Sequence, residues 1–129
     1  PMNSKANPVN WFEIYVEDMD RAKKFYSQVL DQALEDMKIP EGAEDLRMVG
    51  FPYVDGGINA SGALVQSNEM KPGTGGTLVY FSCEDCAVEQ GRITAAGGQV
   101  IQPKFQIGEH GYCAIGMDTE GNTFGLYSM

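Results

Sequence analysis

Two groups of residues in this sequence have types and spacings that could support chemistry. Glu13 lies in the aromatic run of residues 11–15, where a carboxylate could act as a base or pair with a cationic ligand. His110 is the only histidine and follows Glu109, so it could act as a base or, together with Glu109 and Glu13, bind a metal ion. Each residue also has a structural interpretation, since Glu13 could bond a neighbouring tyrosine and His110 could be a solvent-exposed loop residue. We favour the loop interpretation over a metal site at His110.

A third candidate is the CxxC spacing of Cys83 and Cys86. Such a pair is typical of redox sites when it precedes a helix, but Asp85 between the two thiols opposes thiolate formation. We therefore favour coincidence over a redox function. With Cys113 the cysteines form an odd, sparse set, which predicts a reducing cytoplasmic location rather than a disulfide framework.

Size and charge exclude several classes of function. The chain has 129 residues with 43% hydrophobic and 21% charged residues, as expected for one ordinary globular domain. Its formal net charge of −9 disfavours nucleic acid and anionic lipid as partners, because both are bound largely through Lys and Arg. Apolar stretches are short, so neither a membrane span nor a signal peptide is expected.

Two helices are predicted near these residues in the sequence. Asp18 is suited to cap a helix over residues 19–30, because the apolar residues that follow it recur at helical spacing: Ala22, Phe25, Tyr26, Val29 and Leu30. Phe25 and Tyr26 are expected on its buried face. Asp85 is suited to cap a second helix that runs to Ala96, where Gly97-Gly98 would end it.

The sequence contains an internal repeat. Residues 11–18 and 78–85 each form a β-rich run that ends in Glu-Asp before a helical pattern. Residues 68–76 have the composition of a linker, so the chain divides into modules 9–67 and 77–128. Each module reads strand, helix and three strands, the later strands being predicted at residues 34–39, 46–54, 60–66, 99–107, 112–117 and 123–128.

The order of these phrases resembles the vicinal oxygen chelate superfamily, which includes glyoxalases, bleomycin-resistance proteins and extradiol dioxygenases. Residues 17–30 resemble the family's first helix, residues 95–100 the end of its second, and residues 118–122 its closing turn, with Thr119 in place of the usual proline. The resemblance implies an α+β fold in which two tandem β-α-β-β-β modules form a cupped mixed sheet, with residues 1–129 as a single domain.

The resemblance also implies four metal-ligand positions, and none carries a ligand here. They correspond to Trp11, Gly62, Leu78 and Gly125, of which Gly62 is the least securely aligned because a long loop precedes it. Family metalloenzymes place His, Gln or Glu at these positions. We therefore predict no metal and no cofactor.

A small-molecule pocket remains as the expected use of the cup. Strand alternation and the family's architecture predict an aromatic lining with a few polar groups, in which Trp11 could either line or plug the site. These aromatic residues could equally complete a core. The predicted ligand-binding residues are Trp11, Glu13, Tyr15, Leu64, Gln66, Leu78, Tyr80 and Tyr127.

Two functions follow from the resemblance. The first is a metal-independent small-molecule-binding protein, similar to the bleomycin-resistance members, with a cationic or aromatic ligand in the cup or in the groove of a homodimer. The alternative is a lyase or isomerase related to lactoylglutathione lyase that uses Glu13 or His110 as its catalytic residue. The sequence leaves open whether the protein is an enzyme.

Overall fold

The structure, a computed structural model, describes residues 6–129. These residues divide into a first compact unit, Phe12–Leu78, and a second unit of residues 6–11 and 79–129. Neither helix in this part of the chain has the length and hydrophobicity that a membrane-spanning helix requires. The elements are β1 Val9–Tyr15, α1 Met19–Leu30, β2 Glu35–Asp36, β3 Arg47–Gly50, β4 Ser61–Gln66, β5 Thr77–Ser82, α2 Cys86–Ile93, β6 Gln99–Gln106, β7 Tyr112–Met117 and β8 Thr123–Ser128.

The first unit packs α1 against one face of its strands. Strands β2, β3 and β4 are antiparallel neighbours, and Val49 of β3 lies opposite Leu64 of β4. Burial of branched and unbranched apolar side chains against the helix supplies the main stabilisation of such a layer. The buried cluster consists of Val16, Met19, Leu34, Val49 and Leu64.

Helix α1 has the predicted bounds, but part of its predicted buried face is wrong. The Asp18 carboxylate accepts a hydrogen bond from the Arg21 amide at 3.0 Å, which confirms it as the cap. Ala22 and Tyr26 pack against the core cluster. Phe25 is 57% exposed, and Val29 and Leu30 are also exposed, because the apolar residues cover more of the helix circumference than one sheet face can bury.

The second unit is a mixed arrangement of strands with α2 on one face. Strand β5 pairs in parallel with β8, which is antiparallel to β7, and β7 is antiparallel to β6. Helix α2 covers a cluster formed by Cys86, Ile93, Ala114 and Leu126. The α+β fold with two β-α-β-β-β modules is therefore confirmed.

Local signals set the limits of α2. The Asp85 carboxylate accepts a hydrogen bond from the Ala87 amide at 3.0 Å, as the capping prediction requires. The helix ends at Ile93, earlier than the predicted Ala96, and Gly97 then adopts the left-handed conformation with φ 99°. Gly98 does not share that conformation; a side chain there would strike the Met117 carbonyl oxygen.

Asp118 organises the turn between β7 and β8. Its Oδ1 accepts hydrogen bonds from the amides of Glu120 at 2.8 Å and Asn122 at 2.9 Å, and Gly121 has φ 84°. Glycine adopts this left-handed conformation without steric cost, which suits it to the turn. The backbone amides of Asn122 and Glu120 lower the pKa of the Asp118 carboxyl, because they stabilise its ionised form.

Removal of this carboxylate is expected to weaken the protein in a pH-dependent way. A carboxyl with a lowered pKa in the folded state stabilises it above the unfolded-state pKa and loses that contribution as the pH falls through the folded value. Asp118→Ala should therefore lower the melting temperature at pH 7, and the deficit should shrink below about pH 3.8. Thermal melts of Asp118→Ala and the neighbouring control Glu120→Ala across this range test the prediction; a constant deficit would contradict it.

Candidate functional site

Glu13 and Tyr15 form a bonded pair on the face of the first unit that lies away from α1. Ile14 packs with the helix-side core, so alternation along β1 directs Glu13 and Tyr15 to the opposite face. The Tyr15 hydroxyl donates to Glu13 Oε1 at 2.7 Å, as predicted for a buried tyrosine. Burial, and secondarily the Glu13 carboxylate, raises the pKa of Tyr15 well above its usual range. Tyr15 therefore remains a protonated donor at physiological pH.

The predicted orientation of Leu64 and Gln66 is wrong. Leu64 is fully buried in the core beneath α1. Gln66, two residues further along β4, borders a small polar pocket of about 120 Å³ together with Val16, another helix-side residue. Alternation consequently directs Ala63 and Val65 to the face that carries the Glu13–Tyr15 pair. The apolar run of β4 contains no polar residue that would have shown which side chains face the helix and which face the opposite side.

Gly62, which corresponds to a metal-ligand position of the family, also lies on the helix side of β4. It therefore does not lie on the face that carries Glu13 and Tyr15, where the metal-ligand position was expected. A Cβ atom at Gly62 would lie 2.2 Å from the Phe12 carbonyl oxygen and 2.7 Å from two Phe12 ring atoms. No side chain can therefore be added at this position without local rearrangement. Ala63 and Val65, which have the opposite orientation, also lack metal-binding atoms.

In the second unit, the ring of Tyr80 occupies the space above Gly125. Tyr80 on β5 lies opposite Gly125 on β8, and a Cβ atom at Gly125 would lie 2.3 Å from Tyr80 Cδ2. Tyr80 is only 9% exposed, so its ring has little room to move. A metal-ligating side chain at position 125 would therefore not fit beside Tyr80.

Tyr127 and His110 meet at the turn between β6 and β7. The Tyr127 hydroxyl donates to the His110 carbonyl oxygen, and the His110 amide donates to the Ile107 carbonyl at 2.8 Å. The side chain of His110 is exposed, which agrees with the loop interpretation. Tyr127 thus links the end of β8 to this turn.

The residues at the family's metal positions do not fit a metal ion. Trp11 is half-buried on β1 and Leu78 is buried on β5, and neither side chain can ligate a metal. Gly62 and Gly125 have no space for a larger side chain. Within residues 6–129, no group of three or more His, Cys, Asp or Glu side chains could hold a metal. The set of Glu13, Glu109 and His110 considered above is therefore not arranged as a metal site.

No disulfide joins the three cysteines, all of which lie in the described part of the chain. Cys86 and Cys113 are buried, and Cys83 is half-buried. Burial raises the pKa of Cys83 to about 12, with a further contribution from the nearby Glu89 carboxylate. A thiol with this pKa is almost fully protonated at neutral pH, which opposes a redox function.

Alkylation of Cys83 is expected to be slow in the folded protein. At pH 8 the native chain should react with iodoacetamide far more slowly than the urea-unfolded chain, because only the thiolate is nucleophilic and the native thiol is protonated. Mass spectrometry of timed aliquots provides the measurement, with Cys83→Ser identifying the site. Rapid modification of native Cys83 at pH 8 would contradict the assigned environment.

Two features were not anticipated from the sequence. The first is the close contact of Tyr80 with Gly125, which a glycine in the middle of a strand could have indicated, since such glycines often mark close approach of another group. The second is Glu89 on α2, whose half-buried carboxylate forms a side-chain hydrogen bond with the Cys83 thiol. The helical pattern gave no signal for that burial.

Together, the fold and the face bearing Glu13 and Tyr15 define a glyoxalase-like domain without the usual metal ligands. Residues 9–126 match the model of the Glyoxalase/Bleomycin resistance protein/Dioxygenase superfamily, and the chain belongs to this family. The resemblance inferred from the sequence is therefore confirmed.

Curated relatives and solved structures agree with this membership. A Mycobacterium bovis protein named "Putative glyoxylase CFP32" is 27% identical over 92% of the chain, which spans 44% of that relative's length. Hypothetical protein BH1468 from Bacillus halodurans has a TM-score of 0.71 at 13% identity, with 97% of this chain and 96% of that chain covered. Methylmalonyl-CoA epimerase (Q60A) from Streptomyces coelicolor has a TM-score of 0.68 at 17% identity, with 95% and 96% covered. These structural likenesses show the shared fold.

Proposed function

We propose that this chain is a metal-independent small-molecule-binding protein in which the Glu13–Tyr15 pair is the polar recognition element. The observation that carries the proposal is the 2.7 Å hydrogen bond between the Tyr15 hydroxyl and Glu13 on the helix-free face of the first unit. Binding sites commonly combine aromatic surface with a few fixed polar groups of this kind.

The pair is arranged to present a fixed carboxylate. Tyr15 is 6% exposed and donates to Oε1, which restricts the rotation of the half-buried Glu13 side chain. A preorganised group loses little conformational entropy when a ligand binds. The arrangement therefore favours a ligand that donates hydrogen bonds or carries positive charge.

The charge of the whole chain supports a cationic ligand. The formal net charge of −9 gives the protein a negative field that raises the local concentration of cations. Aromatic side chains add favourable cation–π contacts. An aromatic ammonium compound satisfies both features. The ligand contacts predicted for Trp11, Leu78, Tyr80 and Tyr127 stay predictions.

A paired ligand screen tests the proposal. Thermal shift and calorimetry should identify aromatic ammonium compounds, such as phenethylammonium, that bind more tightly than their alcohol analogues. Glu13→Gln should weaken that binding by about tenfold or more, since hydrogen bonds to charged groups contribute roughly 1.5–3 kcal/mol. Glu35→Gln, which removes an exposed carboxylate from β2 in the same unit, is the matched control.

The variants also separate recognition from folding. Tyr15→Phe keeps the ring but releases the Glu13 carboxylate, so it should weaken binding with the fold retained in circular dichroism. Unchanged affinity in both Glu13→Gln and Tyr15→Phe would reject the pair as the recognition element. A broad screen with no binder would count against the proposal as a whole.

An enzymatic function is the second candidate. A carboxylate oriented by a tyrosine is a suitable base for removing a proton next to a carbonyl group, and relatives named as a glyoxylase and an epimerase share the sequence family or fold. Under this alternative, Glu13 would be the base. His110 has weaker support because its exposed side chain lies in a turn.

Turnover in the presence of a chelator distinguishes the two candidates. Under the binding proposal, methylglyoxal and glutathione should show no protein-dependent turnover in EDTA. Turnover that persisted in EDTA and disappeared in Glu13→Gln but not in His110→Ala would establish the enzymatic alternative. The reverse dependence would assign catalysis to His110.

The homodimer that the family implies is also a proposal. Within the described residues, β2 of the first unit pairs with β3 and β6 of the second unit pairs with β7, so each of these strands has a second edge that another chain could pair with. Sedimentation velocity at several concentrations tests self-association. A sedimentation coefficient of a monomer at all concentrations would reject it.

A further inference from the structure

We propose a second small-molecule site in the first unit, beside the start of α1, that binds a short zwitterion of the α-amino acid class. The site is the polar pocket of about 120 Å³ that Gln66 borders. It lies on the helix side of the first unit's strands, whereas the Glu13–Tyr15 pair lies on the opposite face. This second site is therefore separate from the pair and independent of its function.

The pocket forms where two strands of the first unit end and their chain segments diverge. The Val16 amide donates to the Val65 carbonyl oxygen at 2.9 Å, and after this bond one segment enters α1 while the other enters the loop of residues 67–76. The Ser67 hydroxyl accepts a hydrogen bond from the Glu69 amide at 3.0 Å, which holds the start of that loop. These bonds maintain the gap between the two segments.

The walls of the pocket carry charges of both signs. Glu17 and Asp45 supply carboxylates, and Lys71 supplies an ammonium group. Within the described residues, none of these three side chains has an ion-pair partner within 4.0 Å. A ligand that carries both an ammonium and a carboxylate group offers each of these charges an opposite partner at once.

The volume and the neutral polar groups restrict the ligand further. Because a water molecule occupies about 30 Å³ of the liquid, the pocket has room for roughly four waters or a ligand of about five heavy atoms. The half-buried Gln66 and the exposed Asn68 add amides that donate and accept hydrogen bonds. Polar walls of this kind disfavour an apolar side chain on the ligand. Glycine has the required size and both charges.

Ligands of a single charge fit the same walls less well. A metal cation or a simple ammonium ion attracted by Glu17 and Asp45 would also meet the repulsive ammonium group of Lys71. A simple carboxylate attracted by Lys71 would meet two carboxylates. The charge pattern of the pocket therefore favours a zwitterion over either component.

Titration with glycine, methylammonium and acetate at constant ionic strength tests this site. In ¹H–¹⁵N spectra of the wild-type chain, glycine should cause saturable shifts at residues 66–68 and Met70, with a dissociation constant of about 1–10 mM. Methylammonium and acetate should each bind at least about threefold more weakly, because each lacks one of the two ion pairs. Absence of saturable shifts with glycine up to about 100 mM would overturn the site. Equal binding of glycine and methylammonium would overturn the zwitterion.

Two variants assign the two ends of the ligand. Lys71→Met should weaken glycine binding about threefold to fivefold without weakening methylammonium binding, because it removes only the partner of the carboxylate. Glu17→Gln should weaken the binding of both compounds, because it removes a partner of the ammonium group. Both positions are exposed, so the fold should be retained. Unchanged glycine binding in both variants would reject the pocket as the site.

Three controls separate the pocket from general charge effects and from the Glu13–Tyr15 site. Glu69→Gln removes an exposed carboxylate from the same loop that does not border the pocket, and Lys38→Met removes an exposed lysine elsewhere in the first unit. Both variants, and Glu13→Gln, should bind glycine as the wild type does. Equal weakening by Glu69→Gln and Glu17→Gln would show an effect of net charge and reject the pocket. Weakening by Glu13→Gln alone would place glycine at the opposite face and reject it too.

Discussion

Gly62→Ala is expected to destabilise the protein by about 3 kcal/mol, because the added methyl group has no space on the helix side of β4. Its Cβ atom would lie 2.2 Å from the backbone oxygen of Phe12. A backbone atom cannot move aside by rotating a side chain, so β1 and β4 would have to separate locally. Urea unfolding followed by circular dichroism measures the change.

Gly91→Ala is the matched control for this substitution. Gly91 lies within α2, and a Cβ atom there meets no atom within 4 Å. Replacement should stabilise the protein by about 0.5 to 1 kcal/mol, since alanine has the higher helix propensity. Similar free energies of unfolding for Gly62→Ala and Gly91→Ala would contradict the close contact at Phe12.

Gly125→Ala is the second substitution with a large expected effect. The methyl group would lie 2.3 Å from Tyr80 Cδ2, and displacement of this buried ring should cost about 2 kcal/mol. Urea unfolding again provides the measurement. The clash is with a side chain and not with backbone. Removing that side chain should therefore relieve it, which can be tested.

A double-mutant cycle supplies that test. Tyr80→Ala removes the ring that meets position 125, and in this background Gly125→Ala should cost close to nothing. The expected coupling between the two sites is therefore about 2 kcal/mol in magnitude. Additive effects would show that Tyr80 is not the group that excludes a side chain at position 125.

The helices and the turn were predictable because short sequence signals determine them. Asp18 and Asp85 cap their helices through the expected side-chain bonds, and α1 occupies the predicted residues. Gly121 has the left-handed conformation that the turn requires. Strands β7 and β8 also have the predicted bounds, since glycine and polar residues flank them.

Side-chain orientation was less predictable where a strand is apolar on both faces. Strand β4 has the sequence Ser-Gly-Ala-Leu-Val-Gln. Its interior has no alternation of polar and apolar residues that would assign each side chain to one face of the sheet. Leu64 consequently lies in the core although it was expected at the ligand site. In β1, by contrast, Glu13 interrupts the apolar residues and its bond to Tyr15 was anticipated.

The absence of ligating side chains at the family's metal positions could be predicted from the sequence, but the packing around those positions could not. The sequence shows that Trp11, Leu78 and glycine residues stand where ligands are expected. The structure adds that Tyr80 closes the space at Gly125 and that Gly62 has the opposite orientation. Such close approaches depend on packing between strands distant in sequence, which local patterns do not encode.

Calorimetric titration of the wild-type chain with Ni²⁺ and Zn²⁺ tests the central claim most directly. The residues at the family's ligand positions have no metal-binding atoms, and residues 6–129 contain no alternative cluster. We expect no saturable one-to-one binding at micromolar concentrations. One-to-one binding with a dissociation constant of about 1 µM or below would contradict the account.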